Sequence, residues 1–149
     1  MDDRFVPSSS GDQSHAADGF RLILSVQLAV RRLVNQRTLT TLDMPFPQVS
    51  ALVELARGES VSCNELAERL AYDASHISRL THDLESRRLI ARHRNERDRR
   101  ALDLLLTSTG LVTAAQASSL LMEAENTILS GFTAEERGGL KRLLQRILR

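Results

Sequence analysis

The chain of 149 residues has no tryptophan, one tyrosine and four phenylalanines, so aromatic residues make up only 3% of it. A large aromatic-lined pocket is therefore not expected. Phe20, Phe46 and Tyr72 are the few candidates to line a small-molecule effector site, and each also reads as plain core. Cysteine is nearly missing: Cys63 stands alone, which excludes an intrachain disulfide framework and fits a reducing compartment. No apolar run approaches the roughly 20 residues that cross a bilayer. The N-terminus opens on Asp2 and Asp3 instead of a basic region and an apolar stretch, so no secretory signal is expected and the sequence reads as cytoplasmic. There is no Gly-rich phosphate loop, nucleophile elbow or HExxH motif. His76 and His82 lie six apart on different helical faces, and no Cys/His cluster has zinc spacing. The sequence points away from an enzyme and calls for no cofactor and no metal.

What is present suits a compact globular unit: 42% of residues are hydrophobic and 26% charged. The net charge is only +1, but it is unevenly spread. Residues 1–18 carry Asp2, Asp3, Asp12 and Asp18 against Arg4. Residues 87–100 carry seven arginines, Arg87, Arg88, Arg92, Arg94, Arg97, Arg99 and Arg100, against Glu96 and Asp98. Such a density in one segment is the footprint of a phosphate-binding surface, with a merely solvated loop as the alternative.

Residues 1–17, with Ser8-Ser9-Ser10-Gly11 and few large apolar groups, read as a flexible tail ahead of a single unit over 18–149. From Ala16 to Thr38, Ile23, Val26, Val30 and Leu33 form one helical stripe and Phe20, Leu24 and Leu28 an adjacent one, implying a helix buried on more than one side. Asp43-Met44-Pro45-Phe46-Pro47 breaks the chain, and a helix from Gln48 to Arg57 stops at Gly58. Ser62 and Glu65 form a capping box that starts a helix bearing Leu66 and Leu70. Tyr72-Asp73-Ala74 makes a turn, and Asp73 caps a helix running to Arg87. Two strands follow, Leu89 to Arg94 and Ala101 to Leu106. A long helix from Thr107 to Ser130 and a final one, with a capping box at Thr133 and Glu136, complete the chain.

On the helix after Asp73, Ile77, Leu80 and Leu84 face a core, leaving Ser75, His76, Ser78, Arg79 and His82 on the outer face. Hydroxyls, imidazoles and a guanidinium at that spacing match base edges and nearby phosphates in a major groove. Arg79, with its planar fork, is the candidate reader of a guanine. Arg94, Arg97, Arg99 and Arg100 on the hairpin can lie along phosphates or enter a narrow minor groove. Asp98 either orients Arg100 through a charge-assisted hydrogen bond or simply forms the turn.

This order of parts describes a winged helix-turn-helix: a mainly α fold with a small β-hairpin wing. Residues 46–106 form the expected DNA-binding region, and 18–45 and 107–149 the expected dimerisation helices. The last helix ends on Leu140, Leu143, Leu144, Ile147 and Leu148, a stripe that must pack on something, in cis or across a two-fold axis. A homodimer would place two reading helices on a palindromic double-stranded operator, with half-sites about 10 base pairs apart. Two other readings remain. One is a redox-responsive regulator using Cys63, whose place at a helix start favours thiolate. The other is a winged-helix protein-interaction module.

Several spaced motifs carry a family resemblance. The run Leu66-Ala67-Glu68-Arg69-Leu70, then Ser75 to Arg79, Leu84-Glu85, Leu89-Ile90, Asp98-Arg99-Arg100 and Leu106-Thr107-Ser108-Thr109-Gly110 resembles the MarR family of bacterial transcriptional regulators. The resemblance implies an obligate homodimer, a recognition helix in the major groove, a wing at the minor groove, and often a small ligand that releases DNA from a cleft between dimer helices and reading head. By position, Ser75, Arg79, Asp98 and Arg100 correspond to the family's recognition-helix and wing residues. Arg88 stands where the family usually has glycine, which raises the expectation of a positive backbone angle there at a cost of about 1 kcal/mol.

Overall fold

A computed structural model describes residues 11–58, 61–95 and 102–149, with side chains from residue 18 onward. Its elements run α1 (Gly11–Leu42), α2 (Phe46–Leu55), β1 (Val61–Ser62), α3 (Cys63–Leu70), α4 (Ala74–Ser86), β2 (Ile90–Arg94), β3 (Leu102–Leu106), α5 (Ser108–Ile128) and α6 (Ala134–Ile147). The fold is mainly helical with a small antiparallel sheet, as the sequence implies.

Helix α1 starts earlier than its apolar stripe. Residues 11–17, expected in a flexible tail, are helical, because extending an existing helix adds a hydrogen bond per residue without a new nucleation cost. Residues 1–10 lie outside the described residues. The stripe itself is left uncovered by its own chain: Phe20, Ile23, Leu24, Val26 and Leu28 are all exposed. Burial of α1 begins only at Val34 and Thr38.

The α1–α2 corner falls where the prolines placed it, although α2 starts two residues earlier than expected. Pro47 sits in its first turn, where the missing N–H is no loss. Pro45 offers no side-chain cap, and the Phe46 N–H instead donates to Asn35 Oδ1 at 2.9 Å, reaching back to α1. Helix α3 has the full capping box, with the Glu65 N–H on Ser62 Oγ at 3.2 Å and the Ser62 N–H on Glu65 Oε2 at 2.7 Å. It ends on Ala71 in the left-handed region (φ 54), and the Tyr72 N–H closes onto Ala67 O at 3.0 Å. Asp73 then caps α4 by accepting from the His76 N–H at 2.7 Å.

Arg88 has φ 57, the positive angle that the missing glycine foretold. The reversal sets β2 on its way, and β2 pairs with β3 from Ile90↔Leu106 to Arg94↔Leu102. A third strand, β1, pairs with the other edge of β3 (Val61↔Leu104, Ser62↔Asp103). Two residues are too few to show an alternating pattern, which is why β1 is invisible in the sequence. The core gathers Val49 and Leu52 of α2, Leu66 of α3, Ile77 and Leu84 of α4, Val61 and Leu104 of the sheet, and Ala114 and Ala117 of α5. Each fully buried Leu or Ile contributes about 1.5–3 kcal/mol of transfer free energy, so this centre supplies the rigidity on which α4 is mounted.

Helix α6 is held at its start by the second capping box, Thr133 with Glu136, and by Arg137, which donates to Leu129 O at 2.7 Å. It buries none of its own residues within the chain. In both boxes the glutamate accepts a backbone N–H and a hydroxyl-bearing residue flanks it. These hydrogen bonds, from Ser62 to Glu65 and from Thr133 to Glu136, hold both carboxyls below the ordinary glutamate value of 4.5. A carboxyl depressed in the folded state stabilises it above the unfolded value, and that contribution fades as pH falls through the folded value. Urea midpoints should therefore drop on acidification below about pH 4.5, and Glu65→Gln, which keeps an acceptor, should flatten that part of the curve. An unchanged acid slope in Glu65→Gln would contradict the assignment.

Candidate nucleic-acid interface

Helix α4 turns Ile77, Leu80, Thr81 and Leu84 inward, which leaves Ser75, Ser78, Arg79 and His82 exposed along one outer face. This is the set that the helical spacing predicts, with one difference. His76 is half-buried and stacks on Tyr72, ring centroids 4.3 Å apart and planes 20° from parallel. The stack holds the start of α4 against the turn, so His76 presents an edge rather than a free imidazole.

Two open clefts flank the outer face. One, of about 360 Å³, lies between the start of α2 (Pro45, Pro47, Gln48) and α4 (His76, Arg79, Leu80, Asp83). The other, of about 440 Å³, is bounded by Ser78, Arg79, His82, Asp83 and Arg92. Arg79 and Asp83 border both, so a guanidinium and a carboxylate stand on the ridge between them. A convex ridge carrying a guanidinium between two hollows is a shape that enters a groove of nucleic acid, with the hollows left for its walls.

The wing lies beside that ridge. His93 and Arg94 are exposed on β2, and Asn95 Nδ2 lies 3.1 Å from both carboxylate oxygens of Asp103, joining the two strands near the hairpin end. Arg97, Asp98, Arg99 and Arg100 lie outside the described residues, as does the expected pairing of Asp98 with Arg100. Arg92, counted in the basic segment 87–100 and placed on the first strand, is tied to α4: Nε donates to Glu85 Oε2 and a terminal nitrogen donates to Thr81 Oγ1, both at 3.1 Å. Alternation could have shown this, because Arg92 shares a strand face with buried Ile90. At the far end of α4, Arg87 donates to the Asp43 carbonyl at 2.9 Å and so fastens the helix to the α1–α2 corner.

The three aromatic candidates for an effector site are not brought together. Phe20 is 65% exposed on α1, Phe46 begins α2, and Tyr72 stacks on His76; none of them lines either cleft. Cys63 is the first residue of α3, half-buried against the core. Among the described residues no group of His, Cys, Asp and Glu is placed to hold a metal ion, and no helix is long and apolar enough to cross a membrane.

Comparison with known proteins agrees with this geometry. Residues 42–101 match the sequence profile of the MarR family. The chain is 31% identical over 96 residues to the HTH-type transcriptional regulator BilQ of Clostridium symbiosum, covering 64% of this chain and 67% of that protein. It is 38% identical over 63 residues to the HTH-type transcriptional repressor MdtR of Bacillus subtilis, covering 42% of this chain and 41% of that one. A mutant MarR from E. coli, crystallised in complex with operator DNA, superposes with a TM-score of 0.80 at 26% identity, over 94% of this chain and 100% of that chain. The matched segment spans the corner, the α3–α4 pair and β2 and ends just before β3, and the chain belongs to the MarR family of winged-helix transcriptional regulators.

Proposed function

We propose that this chain acts as a homodimeric repressor that reads a palindromic DNA operator, α4 in the major groove and the β2–β3 hairpin at the minor groove. The observation that carries the reading is the exposed polar face of α4, with Arg79 on the ridge between two clefts and a basic wing alongside. The likeness to an operator-bound MarR supports the DNA partner, and the repressor name of the B. subtilis relative supports the sense of regulation.

The dimer follows from apolar surface that one chain leaves uncovered. Ile23, Val26 and Leu28 on α1, Leu111 and Val112 on α5, and Leu143, Leu144 and Ile147 on α6 are each at least half exposed. Such a set at both ends of a chain fits an isologous interface made by the first helix and the last two. Light scattering after size exclusion should give two chains per particle at micromolar concentration; a monomer would contradict the dimer.

Response to a small molecule fits the same frame. The cleft between the start of α2 and α4 is of ligand size, and a molecule seated there bears on the reading helix and on the corner that leads to α1. Any compound that changes the separation of the two reading helices spoils their simultaneous engagement and releases the operator.

A further inference from the structure

The Arg92 guanidinium turns back toward the protein. It grips α4 at two points one turn apart, Glu85 and Thr81, each at 3.1 Å. Thr81 is fully buried, and its hydroxyl donates on to Ile77 O at 2.9 Å. A continuous path thus runs from strand β2 through Arg92 into the backbone of the reading helix, just upstream of Ser78 and Arg79. The Arg92 side chain is 30% and the Glu85 side chain 42% exposed, so solvent partly screens that ion pair, and the bond to buried Thr81 is the sheltered point of the grip. Arg92 also bounds the cleft that holds Ser78, Arg79 and His82, which puts the link directly beneath the outer face.

We propose that Arg92 is a positioning residue for base reading: by gripping Glu85 and Thr81 it fixes the angle between β2 and α4, so that Arg79 and Arg94 meet their places on DNA in one event. The proposal rests on the DNA-reading role given above. Two contact elements held at the right separation bind as one site, whereas elements free to wander lose ordering entropy on binding. Discrimination suffers first, because base-edge contacts demand tighter geometry than phosphate contacts. With its guanidinium engaged on α4, Arg92 acts through the protein and not as a phosphate ligand.

The test uses full-length Thr81→Val, Glu85→Gln and Arg92→Gln. Affinities are measured for an operator selected with the unaltered protein and for a scrambled duplex of equal length, over a salt series, alongside thermal melts. Thr81→Val keeps the branched shape and touches no charge. Glu85→Gln removes a carboxylate that repels phosphate, so electrostatics alone would tighten both duplexes. The proposal expects the opposite: each of these two variants lowers the operator-to-scrambled ratio about 3- to 30-fold. Affinity for the scrambled duplex does not fall, and the salt slope stays as in the parent. Adding Arg92→Gln to the combined Thr81→Val, Glu85→Gln variant should change the ratio little further, since both points of the grip are then already lost. An unchanged ratio in Thr81→Val and Glu85→Gln overturns the proposal. So does an Arg92→Gln variant that weakens both duplexes equally and lowers the salt slope by about 1, the mark of a direct phosphate contact. A parent protein with no preference for any duplex would reject the DNA-reading role itself, and the positioning role with it.

Discussion

Gly110→Ala is expected to destabilise the protein by about 3 kcal/mol, shown as a lower urea midpoint at an unchanged slope. The cause is a close approach. A Cβ at Gly110 would fall 2.9 Å from the Leu89 carbonyl carbon and nearer still to its oxygen, with Leu106 Cδ2 at 3.3 Å. The obstruction is backbone, so no rotamer change relieves it. That carbonyl is held where it is: Leu89 O accepts the Thr107 N–H at 3.0 Å, and Thr107 Oγ1 donates to Arg88 O at 2.6 Å while accepting the Gly110 N–H at 3.0 Å. These bonds weld the left-handed turn at Arg88 to the start of α5. Opening them disturbs the exit from α4 and the wing together, so operator binding should fall with stability. Gly138→Ala is the matched control, because its Cβ meets only Arg142 Nη1 at 3.4 Å within α6. It should stabilise by about 0.5–1 kcal/mol. Equal effects at the two glycines would contradict the packing argument.

Arg79→Ala should cost about 1–3 kcal/mol in operator affinity, roughly 10- to 100-fold, with relaxed preference at a single base pair. The side chain is exposed and takes no part in the core, so the melting temperature should barely move. Competition between the operator and a set of single-base-pair variants checks the assignment. The parent should rank the variants at one position steeply, and Arg79→Ala should rank them alike. If affinity and ranking both survive, Arg79 is not a base reader. Ser78→Ala, one residue away on the same exposed face, should have a smaller effect, since a hydroxyl cannot make the two parallel bonds of a guanidinium.

The legible parts of the sequence were those in which a local interaction has a local signature. Ser62 with Glu65 and Thr133 with Glu136 announced two helix starts, Asp73 a third, and the spacing of Ile77, Leu80 and Leu84 separated the inner from the outer face of α4. Even the positive φ at Arg88 was visible, because the family resemblance marked the position where a glycine was missing. Features that depend on distant partners stayed hidden. Asn35 caps a helix eleven residues away, Arg92 reaches back to Thr81 and Glu85, and Arg87 reaches Asp43 across forty-four residues. None of these leaves a periodic trace. The apolar stripe of α1 shows a second kind of limit, since periodicity reports that a face will be covered and does not say by which chain.

The central claim is that two copies of this chain present two copies of the α4 ridge and wing to one duplex. Titrating a fluorescent palindromic operator, selected with the purified protein, over a range of salt concentrations tests it most directly. The account predicts two chains per duplex, and an affinity that falls steeply between about 50 and 200 mM salt, on the order of a thousandfold for six or more phosphate contacts. It also predicts a large advantage over a duplex carrying only one half-site. Binding of one chain per duplex, or equal affinity for one half-site and two, would contradict it.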